Sequence, residues 1–335
     1  MGFYAGLDVH SKETVFEIQD STGQVVKTGR FPTTASGIAS LAGDLAEGST
    51  VGLETGGMAF YVARQLQTNG SNPVVIDAYE VRIKAHRPRQ KSDRRDAHEI
   101  CDGLRRDIYR SLVHVPPIDI QQIRGLLSRR RYFVRHKTRE INAAKHLLWS
   151  MGLGHLLPKT LTRLTAWEKL FTRLEEEPAT KRLVEHHWAM WKCAEEQKVA
   201  IEKELDAYRQ PYQDKLKRLQ TILGVGPVVS LTLVTTLSDV TRFPSAKEVA
   251  SYAGVVPSSY QSGKRDHHGH ITKRGSAELR AMLCEAAHHA NRPSNPFHPY
   301  FAKLCAKRGY KIAVTATAHR IYRLAPIFSR SRQAT

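Results

Sequence analysis

The first 115 or so residues switch between strand-like and helix-like hydrophobic periods in an order that few folds can use. "FYAGLDVH", "ETVFEIQD" and "QVVKTGRF" are short β-branched or aromatic runs separated by "SK" and "STG", and they predict three consecutive antiparallel strands. "ASGIASLAGDLAEG" then predicts a helix, "TVGLE" a strand, "MAFYVARQLQTNG" a helix and "PVVIDA" a strand, with glycine-containing stops after both helices. The order is β-β-β-α-β-α-β, followed by helices that carry "KSDRRDAHEICDGLRRD". A layered α/β domain over residues 1–115 fits this order, and an all-helical domain does not.

Pro116 and Pro117 break the chain, and a helical pattern of roughly a hundred residues follows. Ile120, Leu127, Val134, Ile141 and Leu148 recur every seventh residue, as on one side of a coiled coil. "SRRRYFVRHKTRE" supplies a charged outer face that includes Arg129, Arg130 and Arg131. Residues 116–213 therefore read as a helical coiled-coil region, or equally as a long helix packed on its own domain. Its partner is either the later stretch "KRLVEHHWAMWKCAEEQKVAIEKELDAY" of the same chain or a second subunit. Residues 214–335 read as a mainly α domain. It opens on "LKRLQTILGVGPVVSLTLVTTL", two helices joined through Gly-Val-Gly-Pro in the pattern of a helix-hairpin-helix. Gly224 and Gly226 permit the tight turn and a close backbone approach to a phosphate; a plain turn between packed helices uses the same residues.

Charge narrows the partner. Lys and Arg total 51 against 32 Asp and Glu, a net charge of +19, which favours polyanions and above all phosphate backbones. The four cysteines are widely spaced with no CxxC, so neither a zinc knuckle nor a disulfide framework is expected. No signal-peptide-like run and no stretch of eighteen apolar residues occurs, and a cytoplasmic protein without a membrane partner is expected.

Against that basic background, four carboxylates stand out. Asp93 and Asp96 lie three residues apart inside "RQKSDRRDAHEI", one helical turn apart on one face, where like charges repel unless a cation sits between them. Asp8 lies near the end of the first strand and Glu54 at the end of the fourth, strands that can be neighbours. The four fall where an RNase H-like (polynucleotidyl-transferase) topology needs them. Such hard oxygen ligands suit Mg²⁺ or Mn²⁺, with Lys91, Arg94 and Arg95 placed for a phosphodiester. Strand-end caps and dipole-favoured charge at a helix start are the ordinary explanations for the same residues.

A second constellation, "VVPSSYQSGKRDHHGHITKRGSAELR", reads as a loop-rich phosphate platform built on Lys264, Arg265, Lys273, Arg274 and Arg280. Ser262 before Gly263, Ser259 and Tyr260 offer hydroxyl nucleophiles. His267, His268 and His270 read as acid–base or phosphate-donating groups or a solvated face, and not as a metal site.

In order, "GLDVH", "GLETGG", "KSDRRDA", "LGVGP", "YAGVVPSSYQSGKRDHHGHITKRGSAELR" and "NPFHPYFAKLCAKRGYKIAVTATAHRIY" resemble the signature segments of the insertion sequence 110 family of bacterial transposases. The resemblance implies a RuvC-like domain of the DEDD type followed by a transposase domain. It implies that Asp8, Glu54, Asp93 and Asp96 bind divalent metal, and that a C-terminal serine becomes joined to a DNA end. By position that serine resembles Ser262, with Ser259 as the alternative. It also implies a noncoding guide RNA from the element that pairs with donor and target DNA. Because the two constellations lie in different domains, a homo-oligomer, dimer or tetramer, whose site is completed between subunits is expected. A junction endonuclease that hydrolyses with water, and a non-catalytic nucleic-acid-binding protein, are the alternatives.

Overall fold

The structure is a computed structural model that describes residues 2–85, 92–243, 245–262 and 265–329. It comprises two compact units, Met1–Pro117 and Ile118–Thr335. In the first, strands β1 (Tyr4–Val9), β2 (Glu13–Gln19) and β3 (Val25–Pro32) precede helix α1 (Ala35–Gly43), strand β4 (Thr50–Glu54), helix α2 (Ala59–Thr68) and strand β5 (Asn72–Ile76). Helices α3 (Ala78–Lys84) and α4 (Asp93–Arg105) complete the unit. The strands form one sheet in the order β3-β2-β1-β4-β5. Pairing is antiparallel for β1–β2 and β2–β3 and parallel for β1–β4 and β4–β5. The alternation of strand side chains assigns the faces. Ala5, Leu7, Val51 and Leu53 join Ile38, Leu41, Val62 and Leu66 of α1 and α2 in one buried cluster.

The opposite face is taken by α4, and glycine decides how near it comes. Gly6 of β1 pairs with Gly52 of β4. A Cβ added at Gly6 would lie 2.1 Å from the Ala97 carbonyl oxygen and 2.4 Å from the Cys101 nitrogen, and one at Gly52 would lie 2.3 Å from Leu104 Cδ1. The Cys101 thiol donates to the Tyr4 carbonyl at 3.2 Å. Contacts 97-to-6 and 101-to-4 mean that α4 runs antiparallel to β1. Polar groups fix its other flank. Glu17 of β2, opposite Gly6 and buried, accepts from His98 Nδ1 at 2.6 Å and from Gln19 Nε2 at 2.8 Å.

The segment after α4 is tied back to the end of β5 by backbone bonds, Asp77 N–H to the Ser111 carbonyl at 3.0 Å and Val113 N–H to the Val75 carbonyl at 2.7 Å, and by the Glu80 carboxylate. Glu80 accepts from Lys84 Nζ at 2.5 Å, from the Arg110 backbone at 3.0 and 3.1 Å, and from the Ser111 backbone. Burial opposes its ionisation most strongly, but Lys84 and the backbone donors outweigh that and hold the carboxyl at about 2, against an ordinary 4.5.

In the second unit, α5 (Ile118–Ser150) and α7 (Pro178–Ala207) are long helices, with α6 (Leu164–Arg173) between them in the chain. Bridges Arg130–Glu202, Lys137–Glu195 and His187–Glu140 pair advancing positions of α5 with receding positions of α7. The pair is therefore an antiparallel hairpin within the chain. Of the heptad positions, Ile120, Leu127, Ile141 and Leu148 are buried, whereas Val134 is 36% exposed. Near Val134 ion pairs replace the apolar seam. The remaining elements are α8 (Gln213–Gln220), α9 (Pro227–Leu237), α10 (Ala246–Ala253), strands β6 (Pro257–Ser262) and β7 (Arg265–Ile271), α11 (Ala277–His288), α12 (His298–Arg308) and α13 (Tyr310–Ser329). Residues of α5 and α7 share one core with α8 to α13, including Ile123, Leu127, Leu205, Leu231 and Leu283, so the expected 116–213 and 214–335 regions are continuous at the base of the hairpin. Among the described residues, no helix is long and apolar enough to cross a membrane.

One expectation is corrected. The stretch from Pro257 to Ile271 is an antiparallel β-hairpin, not a loop. Gly-Lys between two short runs carries a hairpin signal, but those runs are polar and lack the β-branched pattern by which strands were recognised.

Two outcomes follow for stability. Gly6→Ala, which forces backbone apart from backbone, lowers the unfolding free energy by about 1–3 kcal/mol in a denaturant melt of the full chain. For Glu80, a folded pKa below the unfolded one means a contribution on the order of 3 kcal/mol that is complete above about pH 4.5 and lost as pH falls toward 2. The stability gap between the parent and Glu80→Gln, followed by denaturant midpoint, accordingly narrows over that window.

Candidate active site

Three structural facts bring the acidic residues of the first unit toward one place. Asp8 follows Gly6 by two residues, so both lie on the α4 face of β1. Glu54 follows Gly52 in the same way on β4, and the parallel register Leu7↔Leu53 sets Asp8 and Glu54 on adjacent strands at the same sheet end. Helix α4 begins there. From Ala97 at Gly6, four helical residues back to Asp93 cover about 6 Å, and two strand residues forward to Asp8 cover about 6.6 Å.

The side chains meet as this register requires. His10 Nε2 lies 3.1 Å from Asp8 Oδ2 and 3.6 Å from Asp93 Oδ1. One ligand atom from each of Asp8, His10 and Asp93 falls within 4.8 Å of the other two. Glu54 and Asp96 are not part of that tight set; Glu54 stands on the adjacent strand and Asp96 one turn further along α4. Ser92 caps α4, its hydroxyl accepting from the Arg95 backbone, with both aspartates in the first turn where the helix dipole favours them. The dipole explains why α4 tolerates the aspartates; it does not explain why Asp8 and His10 face Asp93.

His10 was not singled out by the sequence, although the signal was present: in a strand, residue 10 shares a face with residue 8. The nearby Cys101 is no rival nucleophile. Burial, followed by the Glu17 charge, pushes its thiol up to about 12. The donor set, two carboxylates and an imidazole with two further carboxylates on adjoining positions, fits a divalent cation. Arg94 is exposed and Arg95 half-buried on the first turn of α4, and Lys91 lies outside the described residues.

In the second unit the basic candidates divide. Arg130 is bound to Glu202 at 2.7 Å and Arg131 to Glu278 at 2.9 Å. Arg129 is exposed and stacks over Tyr132 and Phe133, each ring centroid 4.6 Å away. Lys273 and Arg274 are exposed beyond β7. Gly224 adopts φ +96°, and a Cβ there would lie 2.5 Å from the Ala286 carbonyl, so packing alone requires this glycine. Gly226 has open space around it and caps α9. Ser262 ends β6 and pairs with Arg265 of β7; Gly263 and Lys264, and the side chains of Ser262 and Arg265, lie outside the described residues.

Comparison with known proteins agrees along the chain. Residues 5–152 match a DEDD transposase family of IS110 elements, described as "Transposase". Residues 216–302 match the family described as "Transposase IS116/IS110/IS902 family". The chain is 26% identical over 247 residues to the "Transposase for insertion sequence element IS1111A" of Coxiella burnetii, covering 71% of this chain and 66% of that one. It is 26% identical over 245 residues to a "Probable family 20 transposase" of Pseudomonas aeruginosa, covering 71% and 70%. A shorter match, 35% over 92 residues, links it to the "Insertion element IS110 uncharacterized 43.6 kDa protein" of Streptomyces coelicolor, covering 27% and 22%. The chain thus spans about two thirds of the length of these first two relatives. The DEDD match carries with it an RNase H-like fold, in keeping with the mixed five-stranded sheet. Two family matches in order, over a sheet whose strand ends gather the acidic residues, identify the chain as a member of the IS110 family of transposases.

Proposed function

We propose that the chain is a DNA transposase that cuts and rejoins strands through a serine nucleophile beside a divalent metal site. The observation that carries the reading is the approach of Asp8 and Asp93 to one imidazole from different elements, with Glu54 on the adjoining strand and Asp96 on the next turn. Asp8, Glu54, Asp93 and Asp96 would hold Mg²⁺ or Mn²⁺, which when bound supplies Lewis-acid activation of a phosphate. The Ser262 hydroxyl attacks phosphorus, and the Oγ–P bond forms as the bond to the departing strand breaks. The phosphoserine ester conserves the bond energy, so a second DNA end rejoins without a nucleotide cofactor.

Binding rests on charge. The +19 excess favours DNA and a structured guide RNA together. Arg94 and Arg95 flank the carboxylates, and Lys264, Arg265, Lys273 and Arg274 surround the serine in sequence. The uncrowded Gly226 at the start of α9 supports a phosphate-facing helix-hairpin-helix, whereas Gly224 has a packing role and Arg130 and Arg131 are engaged in ion pairs. Because Ser262 and the carboxylates belong to different units of the chain, a dimer or tetramer can assemble the reacting groups in trans.

The test uses labelled DNA carrying the element's ends, with any copurifying RNA retained. Asp8→Asn lowers strand cutting by about 100-fold or more. Ser262→Ala removes the protein–DNA adduct seen on a denaturing gel. Free cut ends with no adduct in the parent protein indicate a hydrolytic endonuclease instead, and cutting indifferent to Asp8→Asn defeats the metal-site reading.

A further inference from the structure

We propose that His10 is itself a ligand of the divalent cation and that its nitrogen biases the site toward Mn²⁺ over Mg²⁺. This rests on the metal-site reading above and adds to it a residue and a metal preference. The distances are those of a coordination shell. Cis ligands of an octahedral ion at about 2.1 Å lie about 3 Å apart. His10 Nε2 stands 3.1 Å from Asp8 Oδ2 and 3.6 Å from Asp93 Oδ1.

A hydrogen bond alone accounts for this arrangement less well. A neutral imidazole has one proton to donate, and Nε2 faces two carboxylates that arrive from separate elements. The ring is 50% exposed, so it is not held there as core filling. Its backbone is nonetheless fixed. The His10 N–H donates to the Glu13 carbonyl at 3.2 Å, and its carbonyl accepts from Thr33 Oγ1 at 2.9 Å. Thr33 is braced in turn by a buried 2.8 Å bond to Thr14. The main chain is thus set before any ion arrives, which limits the ordering needed on binding.

The choice of metal follows from ligand type. Mg²⁺ demands oxygen ligands and keeps its water; Mn²⁺ is also at home among carboxylates and water but, as a first-row transition ion, accepts an imidazole nitrogen more readily than Mg²⁺ does. A single nitrogen in an otherwise carboxylate set leaves Mg²⁺ one good ligand poorer and Mn²⁺ one better placed.

The experiment titrates the full chain with Mn²⁺ and with Mg²⁺ at one fixed pH, and records pulsed electron paramagnetic resonance of the Mn²⁺ form. Expected are tighter binding of Mn²⁺ than of Mg²⁺ by about tenfold, a directly coupled ¹⁴N signal, and loss of both in His10→Gln, with Mn²⁺ affinity falling about 10- to 100-fold. His98→Gln serves as the control histidine and keeps the signal. Mn²⁺ bound in an Asp8-dependent way without nitrogen coupling, or coupling that survives His10→Gln, overturns the role of His10 and leaves the carboxylate site standing. Absence of any binding sensitive to Asp8→Asn removes both.

Discussion

Helix α4 lies on β1 with main chain against main chain, and the missing side chain at Gly6 is what allows it. The nearest approach, 2.1 Å from the position of a hypothetical methyl to the Ala97 carbonyl oxygen, leaves room for hydrogen alone. That contact sets how far the helix stands from the sheet and, with Cys101 at Tyr4, where along the strand it sits. The start of α4 then falls at the strand's end, where Asp8 and the adjacent Glu54 lie. The chemistry proposed for the first unit depends on this spacing before it depends on any acid.

Much of the first unit was legible because its elements are short, strongly patterned and punctuated by glycine. All five strands and the helices between them appear in the order that periodicity predicts. The positions of Asp8 and Glu54 followed from strand order alone. What stayed hidden was specific to three dimensions. His10 stands two residues after Asp8 in "GLDVH", but its partner Asp93 arrives from a helix more than eighty residues later. The β6–β7 hairpin was missed because "PSSYQS" and "RDHHGHI" pair through backbone bonds, which need no apolar alternation to form.

The second unit shows how one sequence pattern can have two readings. The heptad repeat correctly indicates a paired helix, yet it cannot say where the partner comes from. The structure supplies α7 from the same chain, and the break at Val134 marks where charged groups take over from packing. Arg130 and Arg131, taken from sequence as part of an outward basic face, are drawn inward by Glu202 and Glu278.

The long hairpin holds two apolar clusters apart. Leu127 belongs to the core at its base and Ile141 to a separate cluster at its far end with Trp167, Leu170 and Trp191. Fourteen residues of α5, about 21 Å, separate them. Across that span the helices are joined by the part-buried pairs Arg130–Glu202, Lys137–Glu195 and Glu140–His187. The far end therefore carries a hydrophobic cluster of its own, set apart along the hairpin from the core at the base.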